Sequence, residues 1–250
     1  MDIVICRDAE QAGVVAAELI VKKLGGNPAP VLGLATGSSP LGLYAHLKHM
    51  QSTGEVDLSR ARGFALDEYV AIDYEHPESY HNVIRRTVVE PLGLDPELIQ
   101  VPDGAADDVA LASVLYEKAI QVAGGIDLQI LGIGANGHIG FNEPFSSFGS
   151  RTRAVPLTAQ TRADNARFFD SPDQVPTHAI TQGLATIRES RATLLIATGE
   201  HKASAIGRMI EGPVAVAHPA SILQFHPDLT VVVDEAAGAR LVDGEHFLRL

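Results

Sequence analysis

The chain has 250 residues, of which 46% are hydrophobic, and it carries 19 lysines and arginines against 31 aspartates and glutamates. A chain of this kind can bury a sizeable core. Its net charge of -12 argues against a nucleic-acid-binding protein, because phosphate backbones need clustered basic residues. A small anionic ligand stays compatible with that charge, since it needs only a few cations in one pocket.

The N-terminal residues, the hydropathy pattern and the cysteine content together predict a cytoplasmic protein. Residues 1–7 form too short an apolar run for a signal peptide and contain no basic leader. No apolar run reaches the length that a membrane-spanning helix needs. The single cysteine, Cys6, excludes an intrachain disulfide and favours a reducing compartment.

Short apolar runs alternate with amphipathic stretches along the chain. The predicted strands are residues 31–35, 61–66, 126–133, 191–197 and 229–233. The predicted helices are residues 8–23, with Asp8 as N-cap, and residues 40–50, 109–123 and 201–210. Nearly continuous apolar strands are typical of a parallel sheet covered on both faces. The alternation therefore predicts an α/β fold, an open, mostly parallel Rossmann-like sheet with helices on both faces.

No internal repeat and no low-complexity linker divides the chain, so residues 1–250 are predicted to form a single domain. In open α/β sheets, ligands bind outside the carboxyl ends of the strands. The residues that follow each predicted strand are therefore the candidate functional residues.

The loop after the strand at residues 31–35 is suited to binding an anion. It contains Thr36, Gly37, Ser38 and Ser39 and leads into a predicted helix. Small residues let the backbone approach a phosphate closely, and hydroxyls and the helix N-terminus supply hydrogen-bond donors. The same composition also fits an ordinary turn and helix cap, so this loop alone does not establish a phosphate site.

Two adjacent acids, Asp67 and Glu68, follow the strand at residues 61–66. They could be a general base and its neighbour at a strand end. A solvated junction between a strand and a loop explains them equally simply, and on these two residues alone it is the favoured interpretation.

The strand at residues 126–133 runs into a glycine-rich segment that ends at Pro144. It is not a dinucleotide-binding fingerprint, because such a unit needs a helix directly after its glycines. Instead the glycines surround His138, with Glu143 close behind. Glycines let a substrate approach an imidazole, and a nearby carboxylate can fix its tautomer. The alternative is a turn-rich loop whose histidine only bonds the backbone.

Two basic residues lie farther along the chain. Arg167 precedes a pair of phenylalanines, and Lys202 lies at the start of the helix predicted at residues 201–210. A lysine at a helix N-terminus is unfavourable to the helix dipole, which suggests an anionic partner. Simple exposure on the helix surface is the alternative.

Seven short segments, spread over almost the whole chain, are more informative together than each is alone. They are residues 35–40, 66–70, 76–80, 132–144, 150–153, 167–169 and 199–202. Together they resemble the glucosamine-6-phosphate deaminase/isomerase family, and Gly-His-Ile-Gly-Phe-Asn-Glu-Pro at residues 137–144 is the most specific segment. The resemblance implies the fold superfamily that sugar-phosphate isomerases share with 6-phosphogluconolactonases.

The resemblance also implies a reaction, the conversion of glucosamine 6-phosphate and water to fructose 6-phosphate and ammonia. By match to the family motifs, Asp67 is the base that moves the C2 proton to C1, and His138 assists ring opening. Glu143 holds His138. The substrate phosphate binds to a set of residues that joins one loop to two cations: Thr36, Gly37, Ser38, Ser39, Arg167 and Lys202. No metal and no redox cofactor is implied, because proton transfer within one substrate needs neither.

Two positions depart from the family pattern. Many members carry aspartate where this chain has Asn136, so we count Asn136 with the catalytic group but assign it no titrating role. Allosteric members bind N-acetylglucosamine 6-phosphate through an arginine and a lysine. Arg153 matches the arginine, but Val155 replaces the lysine. We therefore expect a monomer or small homo-oligomer without this activation.

Three alternatives stay open at this point. A 6-phosphogluconolactonase-like hydrolase would need no base at C2, and its histidine segment lacks the continuation at residues 141–144. A non-catalytic sugar-phosphate sensor would keep the anion loop and lose the reacting groups. A deaminase for another amino-sugar epimer is harder to separate. The sequence also leaves open whether residues 158–176 close over the substrate as a lid.

Overall fold

An eight-stranded parallel sheet forms the centre of the computed structural model, which describes residues 1–243 and 247–250. In spatial order, its strands are β11 (Leu248–Arg249), β1 (Asp2–Cys6), β10 (Leu229–Asp234), β9 (Ala192–Ala197), β6 (Leu128–Leu131), β2 (Val31–Leu34), β3 (Arg62–Ala65) and β5 (Ile99–Gln100). All neighbouring pairs in this sheet run parallel. The predicted fold class is confirmed.

Eight α-helical segments accompany the strands in the described part of the chain. They are α1 (Ala9–Leu24), α2 (Leu41–Thr53), α3 (Tyr80–Ile84), α4 (Glu90–Leu92), α5 (Val109–Val122), α6 (Ala159–Asn165), α7 (Leu184–Arg188) and α8 (Ala203–Ile210). A π-helical segment, Arg85–Val89, joins α3 to α4. The longest of these helices, α1, has 16 residues. None of the described helices is both long and apolar enough to cross a bilayer.

The first helix begins where the sequence predicts. The Asp8 carboxylate accepts a hydrogen bond of 2.8 Å from the backbone N–H of Gln11, as an N-cap does. Gly25 ends α1 in the left-handed conformation, with φ at 57°. α5 also begins where predicted, at Val109, whereas the other two predicted helices, α2 and α8, begin one or two residues later than predicted. Residues 200–202 form a 3-10 turn, so α8 begins only at Ala203.

Helices cover both faces of the sheet, as strand β2 illustrates. Leu32 and Leu34 belong to the main hydrophobic cluster, which includes residues of α1 and α2. Val31 belongs to a second cluster, built largely from α5. Because successive side chains of a strand point to opposite faces, these clusters lie on opposite sides of β2.

A second sheet of three antiparallel strands was not predicted. Its order is β4 (Asp67–Tyr69), β8 (His178–Thr181) and β7 (Arg153–Pro156). Asp67 therefore lies in a strand, and the solvated junction favoured from the sequence is wrong, because Asp67 and Glu68 are only 5% and 4% exposed. Pairing with β8, more than a hundred residues away, removes them from water. The single-domain organisation stays a prediction.

Candidate active site

A cavity of about 370 Å³ opens at the carboxyl edge of the parallel sheet. The segments that follow β2, β3, β6 and β9 line it, together with α6. Apart from Tyr80, the lining residues are 35–39, 66–67, 132–135, 138, 140–141, 161, 164–165, 167 and 201–202. The cavity therefore collects, from distant parts of the chain, most of the residues that the sequence analysis singled out.

One part of the cavity is suited to an anion. Thr36, Gly37, Ser38 and Ser39 line it directly before α2, and Gly37 has a φ of 87° that favours glycine. Lys202, at the N-terminus of α8, lines the same cavity together with Arg167.

Neither of these two cations forms an ion pair within residues 1–243 and 247–250. The Arg167 guanidinium lies 4.7 Å from the ring centre of Phe168. Burial lowers the pKa of Lys202; Asp164 opposes this and Arg167 adds to it. A half-buried ammonium without a close counter-ion favours binding of an anion.

Asp67 lines the cavity from β4. Burial, and secondly the neighbouring Glu68, raise the pKa of Asp67 to about 8. Gly140 packs beside it, since a Cβ at that position would lie 3.4 Å from Asp67 Oδ2 and 2.9 Å from Thr181 Oγ1. A carboxyl group with a pKa near neutrality can both accept and return a proton.

The neighbouring acid, Glu68, has a different environment. Its carboxylate accepts hydrogen bonds from the backbone N–H groups of Tyr69, Tyr80 and His81 at 2.8, 2.9 and 2.9 Å. It therefore satisfies the first N–H groups of α3 and is absent from the cavity wall. Of the two adjacent acids, only Asp67 faces the space where a ligand would bind.

His138 lines the cavity, and Glu143 lies behind it. Glu143 Oε2 is 3.6 Å from His138 Nδ1, which is an ion-pair distance and longer than a hydrogen bond. The Asn136 amide donates to the same oxygen at 2.7 Å, and Asn136 Oδ1 accepts from the His138 backbone N–H at 3.1 Å. Asn136 and Glu143 do not line the cavity themselves, so they act on it only through His138.

The second oxygen of Glu143 contacts α6, a contact that the sequence analysis missed. Oε1 accepts hydrogen bonds from the hydroxyls of Thr158 and Thr161. Burial alone would raise the pKa of Glu143, but His138 and the bonds from Thr161 and Asn136 outweigh it and lower this pKa to about 2. The only sequence signal for this contact was the pair of hydroxyl residues at the start of a helix.

Glycines make room for the histidine ring. A Cβ at Gly134 would lie 2.2 Å from His138 Cε1, so this glycine and the ring occupy adjoining space. Below the same loop, a Cβ at Gly137 would lie 2.2 Å from the buried ring of His218. Of these two glycines, Gly134 makes room for His138 and Gly137 makes room for His218.

The Gly134→Ala variant should fold and lose about 10- to 100-fold in kcat, because the new methyl group displaces the His138 ring by about 1 Å or more. Gly134 has no positive φ, so its backbone accepts alanine. Steady-state kinetics and thermal unfolding check this. Gly149→Ala is the matched control, since its Cβ would meet nothing closer than Ser147 Oγ at 3.8 Å. Equal kcat values for the two variants would contradict the prediction.

Other lining residues were not anticipated. His201, Asp164, Asn165 and Tyr80 also face the cavity. Tyr80 and His201 lie in segments 76–80 and 199–202 of the family resemblance but had no assigned role, whereas Asp164 and Asn165 lie outside those segments. Within the described ranges, no group of three or more His, Cys, Asp or Glu side chains could hold a metal ion.

Three features at the carboxyl edge of the parallel sheet define the class of protein. They are a carboxyl group, an imidazole and an anion-binding end, the part of the cavity lined by residues 36–39, Arg167 and Lys202. The protein is an α/β enzyme for a small anionic substrate, built for proton transfer. Its family follows from comparison with known proteins. A family profile described as glucosamine-6-phosphate isomerases/6-phosphogluconolactonase matches residues 9–232. The chain belongs to this family.

Individual relatives and solved structures make the comparison more specific. A glucosamine-6-phosphate deaminase of Streptomyces avermitilis is 54% identical over 99% of this chain and 95% of its own. One from Cutibacterium acnes is 51% identical with the same coverage. A solved monomeric glucosamine-6-phosphate deaminase superposes with a TM-score of 0.93 and 38% identity, over 96% of this chain and 100% of that one. The 6-phosphogluconolactonase of Trypanosoma cruzi has a TM-score of 0.75 and 20% identity, over 96% and 97% of the two chains, so it shares the fold alone.

Proposed function

We propose that the chain converts glucosamine 6-phosphate and water to fructose 6-phosphate and ammonia. The observation that carries the proposal is Asp67, a buried carboxyl group in a cavity that also contains His138 and an anion-binding end. The identity of more than 50% to glucosamine-6-phosphate deaminases supports the same reaction.

Asp67 acts as the proton-transfer base in this proposal. With a pKa raised to about 8, it holds a proton more readily than an ordinary carboxyl group. It removes the proton from C2 of the open-chain sugar and returns it to C1. The ammonium group of the bound substrate brings a positive charge that favours the ionised form of Asp67. The transfer leaves an imine at C2, to which water adds, and loss of ammonia from C2 then forms the carbonyl group of fructose 6-phosphate.

His138 assists the opening of the pyranose ring. An imidazole can donate and accept a proton near neutral pH, as opening of a cyclic hemiacetal requires. Glu143, which faces Nδ1 of the ring, holds the imidazole orientation, and Asn136 supports Glu143 through its amide. The uncharged Asn136 donates a hydrogen bond to the carboxylate, which an ionised aspartate could not do.

The substrate phosphate binds at the anion-binding end. Backbone N–H groups and hydroxyls of Thr36, Gly37, Ser38 and Ser39 contact its oxygens, and the cations Arg167 and Lys202 balance its charge. Binding energy from this remote group orients the reacting carbons toward Asp67. Arg167 lies directly after α6, within residues 158–176. Because a cation of this segment binds the phosphate in the proposal, we also propose that the segment closes over the substrate.

A coupled assay for fructose 6-phosphate and ammonia from glucosamine 6-phosphate tests the proposed reaction. Both products should appear in equal amounts. A wild-type protein that turns over no glucosamine 6-phosphate would refute the proposal. Hydrolysis of 6-phosphogluconolactone without ammonia release would identify the hydrolase alternative, and binding without turnover would identify a sensor. Comparison with galactosamine 6-phosphate decides the sugar epimer.

We further propose a monomer or small homo-oligomer that N-acetylglucosamine 6-phosphate does not activate. Arg153 is half-buried, and its Nη1 donates to Asn142 Oδ1 at 2.9 Å. Val155 offers no cation beside it. A solved relative is monomeric. The rate should therefore depend hyperbolically on glucosamine 6-phosphate, with and without the acetylated sugar. A sigmoidal curve that N-acetylglucosamine 6-phosphate makes hyperbolic would contradict this.

A further inference from the structure

We propose that Thr158 and Thr161, at the start of α6, are positioning residues that hold the Glu143 carboxylate in place behind His138. The inference rests on the proposed function for its kinetic consequence. It adds two residues from the start of α6, to which the proposed mechanism assigns no role, to the residues proposed above.

The hydroxyls form a closed arrangement around one carboxylate oxygen. Thr161 Oγ1 donates to Glu143 Oε1, and Thr158 Oγ1 lies 3.2 Å from the same oxygen. The two hydroxyl oxygens are 3.0 Å apart. The Asn136 amide donates a hydrogen bond to the other oxygen, Oε2. A carboxylate that is bonded at both oxygens cannot rotate away from the imidazole that faces it.

Helix capping does not account for the Thr161 hydroxyl. The cap of α6 needs only Thr158 Oγ1, which accepts from the Thr161 backbone N–H at 3.1 Å. The Thr161 side chain is 5% exposed, and its hydroxyl bonds only to Glu143 and Thr158 among the described residues. A valine of nearly the same shape would serve the helix and the packing equally well. The hydroxyl is therefore explained by Glu143.

The position of α6 also supports the positioning role of its first turn. Asn165, the last residue of α6, donates to the Tyr69 hydroxyl at 2.9 Å, which ties the helix to β4. The 3-10 turn that carries Arg167 follows without a break. The first turn of α6 thus bonds the carboxylate behind His138, and the turn after it reaches the anion-binding end.

The Thr161→Val variant tests the inference with two readouts. We expect kcat to fall about tenfold, the effect of one lost hydrogen bond to a charged group, while KM changes by less than about twofold. A carboxylate held at Nδ1 favours the tautomer with the proton on that nitrogen. Nitrogen NMR of the neutral His138 ring should therefore show a smaller fraction of this tautomer in the variant. Thr161→Ser, which restores a hydroxyl, should recover both values.

Thr186→Val is the matched control. Thr186 is also 5% exposed, and its hydroxyl donates at 2.9 Å to the carboxylate of Glu117, outside the cavity. This variant should lose similar stability and keep the wild-type kcat and His138 spectrum. If Thr161→Val matches this control in both readouts, the inference is wrong.

Two outcomes separate this inference from the proposed function. If the wild-type protein does not turn over glucosamine 6-phosphate, the proposed function fails, and the His138 spectrum still decides the role of Thr161. If the wild type is active and Thr161→Val retains full kcat, only the inference fails. Should the valine variant not fold, Thr161→Ala removes the hydroxyl without placing an apolar group there and gives the same two readouts.

Discussion

Replacing Asp67 by asparagine should lower kcat for fructose 6-phosphate formation by about 10²- to 10⁴-fold, the range that a positioned general base contributes. The amide cannot accept the C2 proton, whereas the shape of the cavity wall stays the same. KM should change much less, because the anion-binding end is untouched. Steady-state kinetics in the coupled assay measure both quantities.

The pH dependence gives a second test of Asp67. Its carboxylate is the active form, and burial raises its pKa to about 8. The wild-type kcat/KM should therefore rise with pH toward about 8, because kcat/KM reports the groups of the free enzyme. Asp67→Asn should lack this rise. The same profile in both proteins would show that another group is the base.

Stability should respond in the opposite direction to activity. The folded pKa of Asp67 lies above its ordinary value of 3.8, so the folded protein retains a proton that the unfolded chain releases. The resulting stabilisation is complete below the unfolded pKa and is lost as the pH rises through about 8. Between these pH values the free energy of unfolding of Asp67→Asn should rise relative to wild type, by at most about 1.4 kcal/mol per pH unit.

Asp127→Asn is the control for both effects. Asp127 precedes β6, at the opposite edge of the sheet, and accepts a hydrogen bond of 2.8 Å from the Val31 backbone N–H. Its replacement should reduce stability and leave kcat unchanged. Denaturant unfolding at several pH values compares the two variants. Equal pH slopes for Asp67→Asn and wild type would contradict the raised pKa.

Replacing Lys202 by methionine should raise KM for glucosamine 6-phosphate by about 10- to 100-fold, because one charge-assisted hydrogen bond to the phosphate is lost. The methionine keeps the length of the apolar stem. The fall in kcat should be smaller than the rise in KM, since Asp67 and His138 stay in place. Inorganic phosphate gives an independent measurement, because its stabilisation of the wild-type protein against heat should be weaker in the variant.

Lys118→Met is the matched control for this charge. Lys118 is exposed on α5 and does not line the cavity. Replacing Lys118 by methionine removes one positive charge, as replacing Lys202 does, so any effect of net charge alone appears in both variants. A KM that is equal in the two variants, with the same phosphate stabilisation, would remove Lys202 from the proposed phosphate site.

The sequence predicted five of the eight strands of the central sheet, because their signals are local. It missed β1 (Asp2–Cys6), a short inner strand whose residues were weighed only as a signal peptide. Val31–Leu34 and Leu229–Asp234 are buried along their whole length and are nearly continuous apolar runs in the sequence. Asp8 starts α1 through a bond to a residue three positions away. Such patterns depend on a few neighbouring residues and need no knowledge of the rest of the chain.

The edge strands and the small antiparallel sheet were missed for the opposite reason. β5 and β11 have two residues each, too few for a periodic pattern. β4 has three residues, two of them acidic, and becomes a strand only by pairing with β8. Charged residues in a short segment indicate exposure unless a distant partner covers them, and that partner lies far away in the sequence.

The sequence by itself determined the parallel α/β fold, the family resemblance and the residues proposed for the site, since each depends on short motifs at strand ends. Only the tertiary structure decided which of two adjacent acids faces the cavity, because the burial of Asp67 and the amide bonds of Glu68 come from β8 and α3. It also brought Thr161 to Glu143. Contacts between distant segments follow from packing, and no local pattern encodes them.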